Sequence, residues 1–74
     1  MYKQIETVRE IFLPSAVIVS PLATLEDECG GRAHIIEDDH CLMLCIEQED
    51  GFCKPTTHLF REAILVIKNL EFPD

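Results

Sequence analysis

Residues 32–48, Arg32-Ala33-His34-Ile35-Ile36-Glu37-Asp38-Asp39-His40-Cys41-Leu42-Met43-Leu44-Cys45-Ile46-Glu47-Gln48, carry two apolar runs on either side of an acidic break. Two strand-like runs joined by a short polar segment predict a β-hairpin, here turning at Asp38-Asp39. Neither residue is glycine, but Asp tolerates turn conformations, and a four-residue loop over 37–40 keeps the same register. That register sets Ile36 opposite Cys41, Ile35 opposite Leu42, His34 opposite Met43, Ala33 opposite Leu44 and Arg32 opposite Cys45. Side chains alternate across a strand, so Ala33, Ile35, Leu42, Leu44 and Ile46 share one face. Arg32, His34, Ile36, Cys41, Met43 and Cys45 share the other. The first face is plain core, while the second is half apolar.

The flanking segments supply partners for this hairpin. Residues 2–13 fit a helical stripe through Ile5, Val8 and Phe12, or a strand face through Ile5, Thr7, Arg9, Ile11 and Leu13; strand is the preferred reading. Ala16-Val17-Ile18-Val19-Ser20 is β-branched and bounded by prolines, which predicts a buried strand. Ser20-Pro21 reads as an N-cap with proline at the first helical position, and Gly30-Gly31 as the stop, giving a short helix over 21–29 with Leu22, Leu25 and Cys29 as its stripe. That helix would hold Glu26, Asp27 and Glu28 in its last turn, against the helix dipole, so the acids call for a partner. Asp50-Gly51 marks a turn. Pro55 and Thr56 or Thr57 open a second helix over 56–70, with Phe60, Ala63, Ile64, Ile67 and Leu70 on one face, widened by Leu59 and Val66. This stripe is the natural cover for the first hairpin face. The chain thus predicts one small acidic α+β domain over 1–74, with a mostly antiparallel sheet built on the 32–48 hairpin and covered by the C-terminal helix.

Charge and size narrow the function. Fourteen acids against six bases give a net charge of −8. With no basic stripe to meet phosphates, direct nucleic-acid binding is not expected. An acidic chain is also repelled by anionic membranes. The uncharged run from Ile11 to Leu25 is broken by Pro14 and Pro21 and falls short of a membrane span. The N-terminal residues lack a signal-peptide pattern, so a cytoplasmic setting with reduced thiols is expected. A core built from 74 residues leaves only about 3–5 kcal/mol of net stability unless something else contributes, and a 47% apolar fraction points to a second copy or a partner protein.

The residues with chemistry form two sets. Nine acids and one base lie between Glu26 and Asp50, in the groups Glu26–Glu28, Glu37–Asp39 and Glu47–Asp50. They lack the EF-hand spacing, so calcium is not expected. Acids along the edges of a rigid sheet could instead meet a basic partner. Of the four cysteines, Cys41 and Cys45 would lie about 13 Å apart along a strand, too far for one zinc. Cys29, Cys45 and Cys53 gather at the open end of the hairpin, with His58 one turn into the following helix. Adjacent His40 and Cys41 point to opposite faces of a strand and cannot form a nucleophile–base pair. No phosphate loop is present, and no catalytic residue is expected.

The sequence therefore predicts a non-enzymatic protein-binding or regulatory module, a homodimer or an accessory subunit of a complex, with no cofactor. Its partner would contact His34, Ile36, Cys41 and Met43, and the acids Glu26, Asp27, Glu28, Glu37, Asp38 and Asp39 would select a basic surface. One alternative is an acidic inhibitor, such as a phage-encoded nucleic-acid mimic, blocking a basic site. The other is a small zinc or thiol protein using Cys29, Cys45, Cys53 and His58.

Overall fold

The structure, a computed structural model, describes residues 1–72. Seven strands precede one helix: β1 (Lys3–Ile5), β2 (Ile11–Leu13), β3 (Val17–Val19), β4 (Ala23–Glu26), β5 (Arg32–Asp38), β6 (Cys41–Glu47), β7 (Cys53–Thr56) and α1 (Arg61–Glu71), with a 3₁₀ turn at Pro14–Ala16 between β2 and β3. All pairings within the sheets are antiparallel. β1, β4, β5, β6 and β7 lie side by side in that order, while β2 and β3 make a separate two-stranded hairpin. The α+β class, the antiparallel sheet and the covering C-terminal helix match the sequence reading.

The central hairpin forms with a shifted register. Asp38 pairs with Cys41, Ile36 with Met43, Ile35 with Leu44, His34 with Cys45 and Ala33 with Ile46. Every partner therefore lies two residues further along than predicted. The cause is the turn. Asp39 and His40 both take positive φ, 51° and 67°, the conformation of a two-residue type I′ turn whose twist suits flanking strands. Asp and His are among the few non-glycine residues that enter this region readily. A slip of two residues preserves the faces, so the predicted division of side chains survives.

The segment 21–29 is not a helix. Its core is β4, which pairs with β5 on one side and with β1 on the other. Leu22 N–H donates to the Ile35 carbonyl at 2.7 Å, binding even the approach to β4 into the sheet. The buried strand β5 needs hydrogen-bond partners along both edges, and β4 supplies the second set. Ala23, Thr24 and Leu25 are all fully buried, with Ala23 and Leu25 on one face and Thr24 on the other.

Reassigning this segment also removes the dipole conflict. Asp27 Oδ1 accepts the backbone N–H groups of Cys29 and Gly31 at 2.9 and 2.7 Å, closing the turn from β4 to β5. Gly30 has φ 84°, and a Cβ at Gly31 would stand 2.8 Å from the Asp27 carboxylate, so this Gly-Gly pair serves a strand turn. Glu26 meets Arg32 at 3.1 Å, and Glu28 meets the Met1 ammonium at 3.0 Å.

The last helix begins at Arg61, not near residue 56, because Cys53–Thr56 extends the sheet as β7. Pro55 is tolerated on this edge strand, where its missing N–H need not face β6. Ala63 and Val66 are buried against Ala23, Leu25, Ala33, Ile35 and Leu44, with Phe60, Ile67, Leu42, Ile46 and Tyr2 at the margin. Tyr2 stacks on Phe60 with ring centroids 4.2 Å apart, tying the N-terminal strand to the helix start.

The opposite face of the sheet carries a second core of Ile11, Ile36, Cys45 and Cys53, edged by Val8, Leu13, Val19 and Met43. The β2–β3 hairpin covers it, where the sequence reading expected a partner. Val17–Val19 is a strand as expected but not a buried one: Val17 and Ile18 are 52% and 54% exposed. No helix among the described residues is long and apolar enough to cross a membrane.

Candidate metal centre

The shifted register sets a specific group of polar side chains in the second face. His34 on β5 stands opposite Cys45 on β6, and Glu47, two residues further along β6, stands opposite Cys53 on β7. Strand alternation keeps all four on one face. The ligand atoms of His34, Glu47 and Cys53 all lie within 4.8 Å of one another. His34 and Cys53 are buried, while the Glu47 side chain is 38% exposed. The group therefore has a closed interior and one side toward solvent.

A short polar chain holds the imidazole. Thr24, across the β4–β5 pairing from His34, accepts the Val8 N–H through Oγ1 at 3.2 Å. The same hydroxyl lies 3.0 Å from His34 Nδ1, and His34 Nε2 lies 3.5 Å from Glu47 Oε1. With the Thr24 hydroxyl donating to Nδ1, the ring proton sits on Nε2, facing Glu47. No buried side-chain nitrogen or oxygen among the described residues lacks a partner. A Thr hydroxyl can also accept, so Thr24 can support the other tautomer, which leaves Nε2 free to bind a cation.

Burial moves both buried groups toward their neutral forms. His34 is depressed below 6.5 by desolvation, with the Glu47 hydrogen bond and charge opposing the shift. Cys53 is pushed from 9.0 up to about 11 by desolvation, then by the charge of Glu47 and by Cys45. Cys45 is raised as well, by burial and then by Asp38. Because the unfolded chain ionises its thiols first, the contribution of Cys53 is full below pH 9 and is lost as pH rises to about 11. Two pH units of separation correspond to about 2–3 kcal/mol. Urea denaturation of the reduced, metal-free protein is thus expected to show stability falling by at least that amount between pH 9 and 11, since Cys45 is raised in the same sense. For His34 the sign is opposite: stability is full above 6.5 and declines below it, as the unfolded imidazole takes a proton. A flat profile from pH 8 to 11 would mean that Cys53 is not buried as described.

The predicted ligand set is not assembled. Cys45 and Cys53 share the second core, but Cys29 sits exposed in the β4–β5 turn and His58 is exposed before α1. The predicted partner face is likewise covered. Ile36 packs in the second core against the β2–β3 hairpin and His34 is fully buried between Thr24 and Glu47, leaving only Cys41 exposed and Met43 half-buried. Glu37, Asp38 and Asp39 are exposed at the hairpin tip, whereas Glu26, Asp27 and Glu28 have partners within the chain. His40 is in the turn, and Cys41 opens β6.

Alongside Glu47 and Cys53 runs a cleft of about 170 Å³, lined also by Val8, Glu10, Arg32 and Gly51. It leads from solvent to two of the three candidate ligands and is large enough for ordered water. Comparison with known proteins gives no match: no family's pattern fits the chain, and no curated protein and no solved structure resembles it.

Proposed function

We propose that this chain is a small metal-binding protein that holds a zinc-like divalent cation on His34 Nε2, the Glu47 carboxylate and Cys53 Sγ. The supporting observation is the convergence of three chemically different donors, from three neighbouring strands, within 4.8 Å. Imidazole, carboxylate and thiolate are the donor types zinc takes. Tetrahedral zinc with ordinary bond lengths holds such atoms about 3.4–3.6 Å apart. His34 Nε2 and Glu47 Oε1 are already at 3.5 Å, and with all three donor atoms within 4.8 Å the remaining closure is at most roughly 1.4 Å. Glu47, the more exposed of the three, has the freedom to make it.

Each residue has a distinct part. His34 is held neutral by burial, so its nitrogen is available without loss of a bound proton to solvent. Cys53 must give up its thiol proton, and its raised pKa makes binding release that proton and strengthen with pH. Thr24 fixes the ring from behind, as outer hydrogen-bond partners of ligating imidazoles do. Three protein ligands leave one tetrahedral position for water or another small ligand, on the side of the Glu47–Cys53 cleft.

Titration of the reduced protein with cobalt(II), followed by zinc, tests the reading. One equivalent is expected to bind, with a near-ultraviolet sulfur-to-cobalt band that zinc abolishes. Binding weaker than about 100 µM, or cobalt binding without that band, would remove the centre.

A further inference from the structure

The β2–β3 hairpin covers the second core with one side and turns an apolar surface outward with the other. Phe12 and Ile18, directly opposite each other in register, are 45% and 54% exposed. Phe52, bridged to Phe12 from the other side, is 37% exposed. The three form a continuous apolar row.

β3 is also an edge strand. It pairs only with β2, and among the described residues no other hydrogen bond engages Val17, Ile18 or Val19. Part of its backbone is therefore free to pair with another strand. The strand is short, at three residues, but no charge and no proline lies within it. Pro14 and Pro21 only bound the segment.

From these features we infer that the chain forms a twofold homodimer by antiparallel pairing of β3 with β3 of a second copy. The sequence Val17-Ile18-Val19 reads the same in both directions. Antiparallel pairing centred on Ile18 therefore sets Ile18 against Ile18 of the second copy, and Val17 against Val19, as a self-complementary interface requires. β-Branched pairs of this kind are favourable across strands. The outward row then runs unbroken through both copies, from Phe52, Phe12 and Ile18 into the same residues in reverse order.

Charge favours a second copy at this place. The chain carries −8, yet every residue from Ile11 to Leu25 is uncharged. The pairing strand therefore brings no acid to the seam, while Asp50 and Glu10 line the clefts beside Phe12. This surface differs from the His34/Ile36 face first expected to dimerise, which the hairpin itself covers. The inference does not depend on the metal centre.

Sedimentation equilibrium from about 1 to 500 µM chain, without added metal, tests it across the range of small interfaces. Wild-type protein is expected to reach a dimer mass and to dimerise more tightly at higher salt, as acid repulsion is screened. Ile18→Lys places two like charges opposite one another and should raise the dissociation constant at least tenfold, with an unchanged circular dichroism spectrum. Leu65→Lys, at an exposed apolar position on α1, should leave the dimer intact. A wild-type monomer at all concentrations overturns the inference. So does a dimer that survives Ile18→Lys, or one lost through Leu65→Lys instead.

Discussion

Leu25→Ala is expected to leave a large share of the chains unfolded at 37 °C. Leu25 is fully buried at the centre of the first core, paired with Gln4 on one side and Ala33 on the other. Truncating a buried leucine costs about 3–4 kcal/mol in transfer free energy and residual cavity. A domain of this size has only about 3–5 kcal/mol to lose. Leu22, three residues earlier, is 45% exposed, and Leu22→Ala should cost less than about 1 kcal/mol. A helix over 21–29 would put both leucines on one buried stripe, with similar effects. Urea denaturation of the two variants separates the cases, and equal destabilisation would count against β4.

The second large effect is on metal affinity. Cys53→Ser is expected to abolish the sulfur-to-cobalt band and to weaken zinc binding more than about 100-fold, since even outer-shell changes cost 10–100-fold. Thr24→Val should weaken binding by about 10–100-fold while retaining the band, because all three ligands remain and only the imidazole's support is lost. That graded pair distinguishes a ligand from a positioning residue. Competition with a chromophoric chelator measures both. If Cys53→Ser binds zinc as tightly as wild type, Cys53 is not a ligand.

The candidate site was illegible for a specific reason. Strand periodicity placed His34 and Cys45 on one face correctly, but that face was expected to meet a partner, and its burial comes from the chain's own N-terminal segment. What failed was the turn: two residues at Asp39-His40, both at positive φ, moved every pairing by two. In the expected register His34 faced Met43, and Glu47 was only one of nine acids. In the actual register His34 faces Cys45 with Glu47 on the diagonal. Recognising that Asp and His can both enter a type I′ turn was the available signal.

The second obstacle was Pro55, which read as a helix opening but belongs to an edge strand. Without β7, Cys53 had no fixed place beside Glu47. The helix expected at 21–29 had plausible local signals at both ends, yet the requirement that β5 be paired along both edges prevailed. By contrast, α1 itself was legible from its helical period, but its buried stripe is narrower than expected: Ala63 and Val66 are buried and Ile67 partly so, while Leu59, Ile64 and Leu70, counted on the covering face, are exposed.

The order of strands in the sheet also bears on how the chain assembles. From β4 to β7, each strand pairs with the next in sequence, across connections of five, two and five residues. Only β1 reaches back to β4 over a long interval, of seventeen residues. Short connections lose less chain entropy on closing, and local pairings form faster. His34, Glu47 and Cys53 all lie within this sequential half. The three candidate ligands can therefore come together without waiting for residues 1–22 to find their places, so the proposed site depends on the N-terminal segment for its cover and not for its assembly.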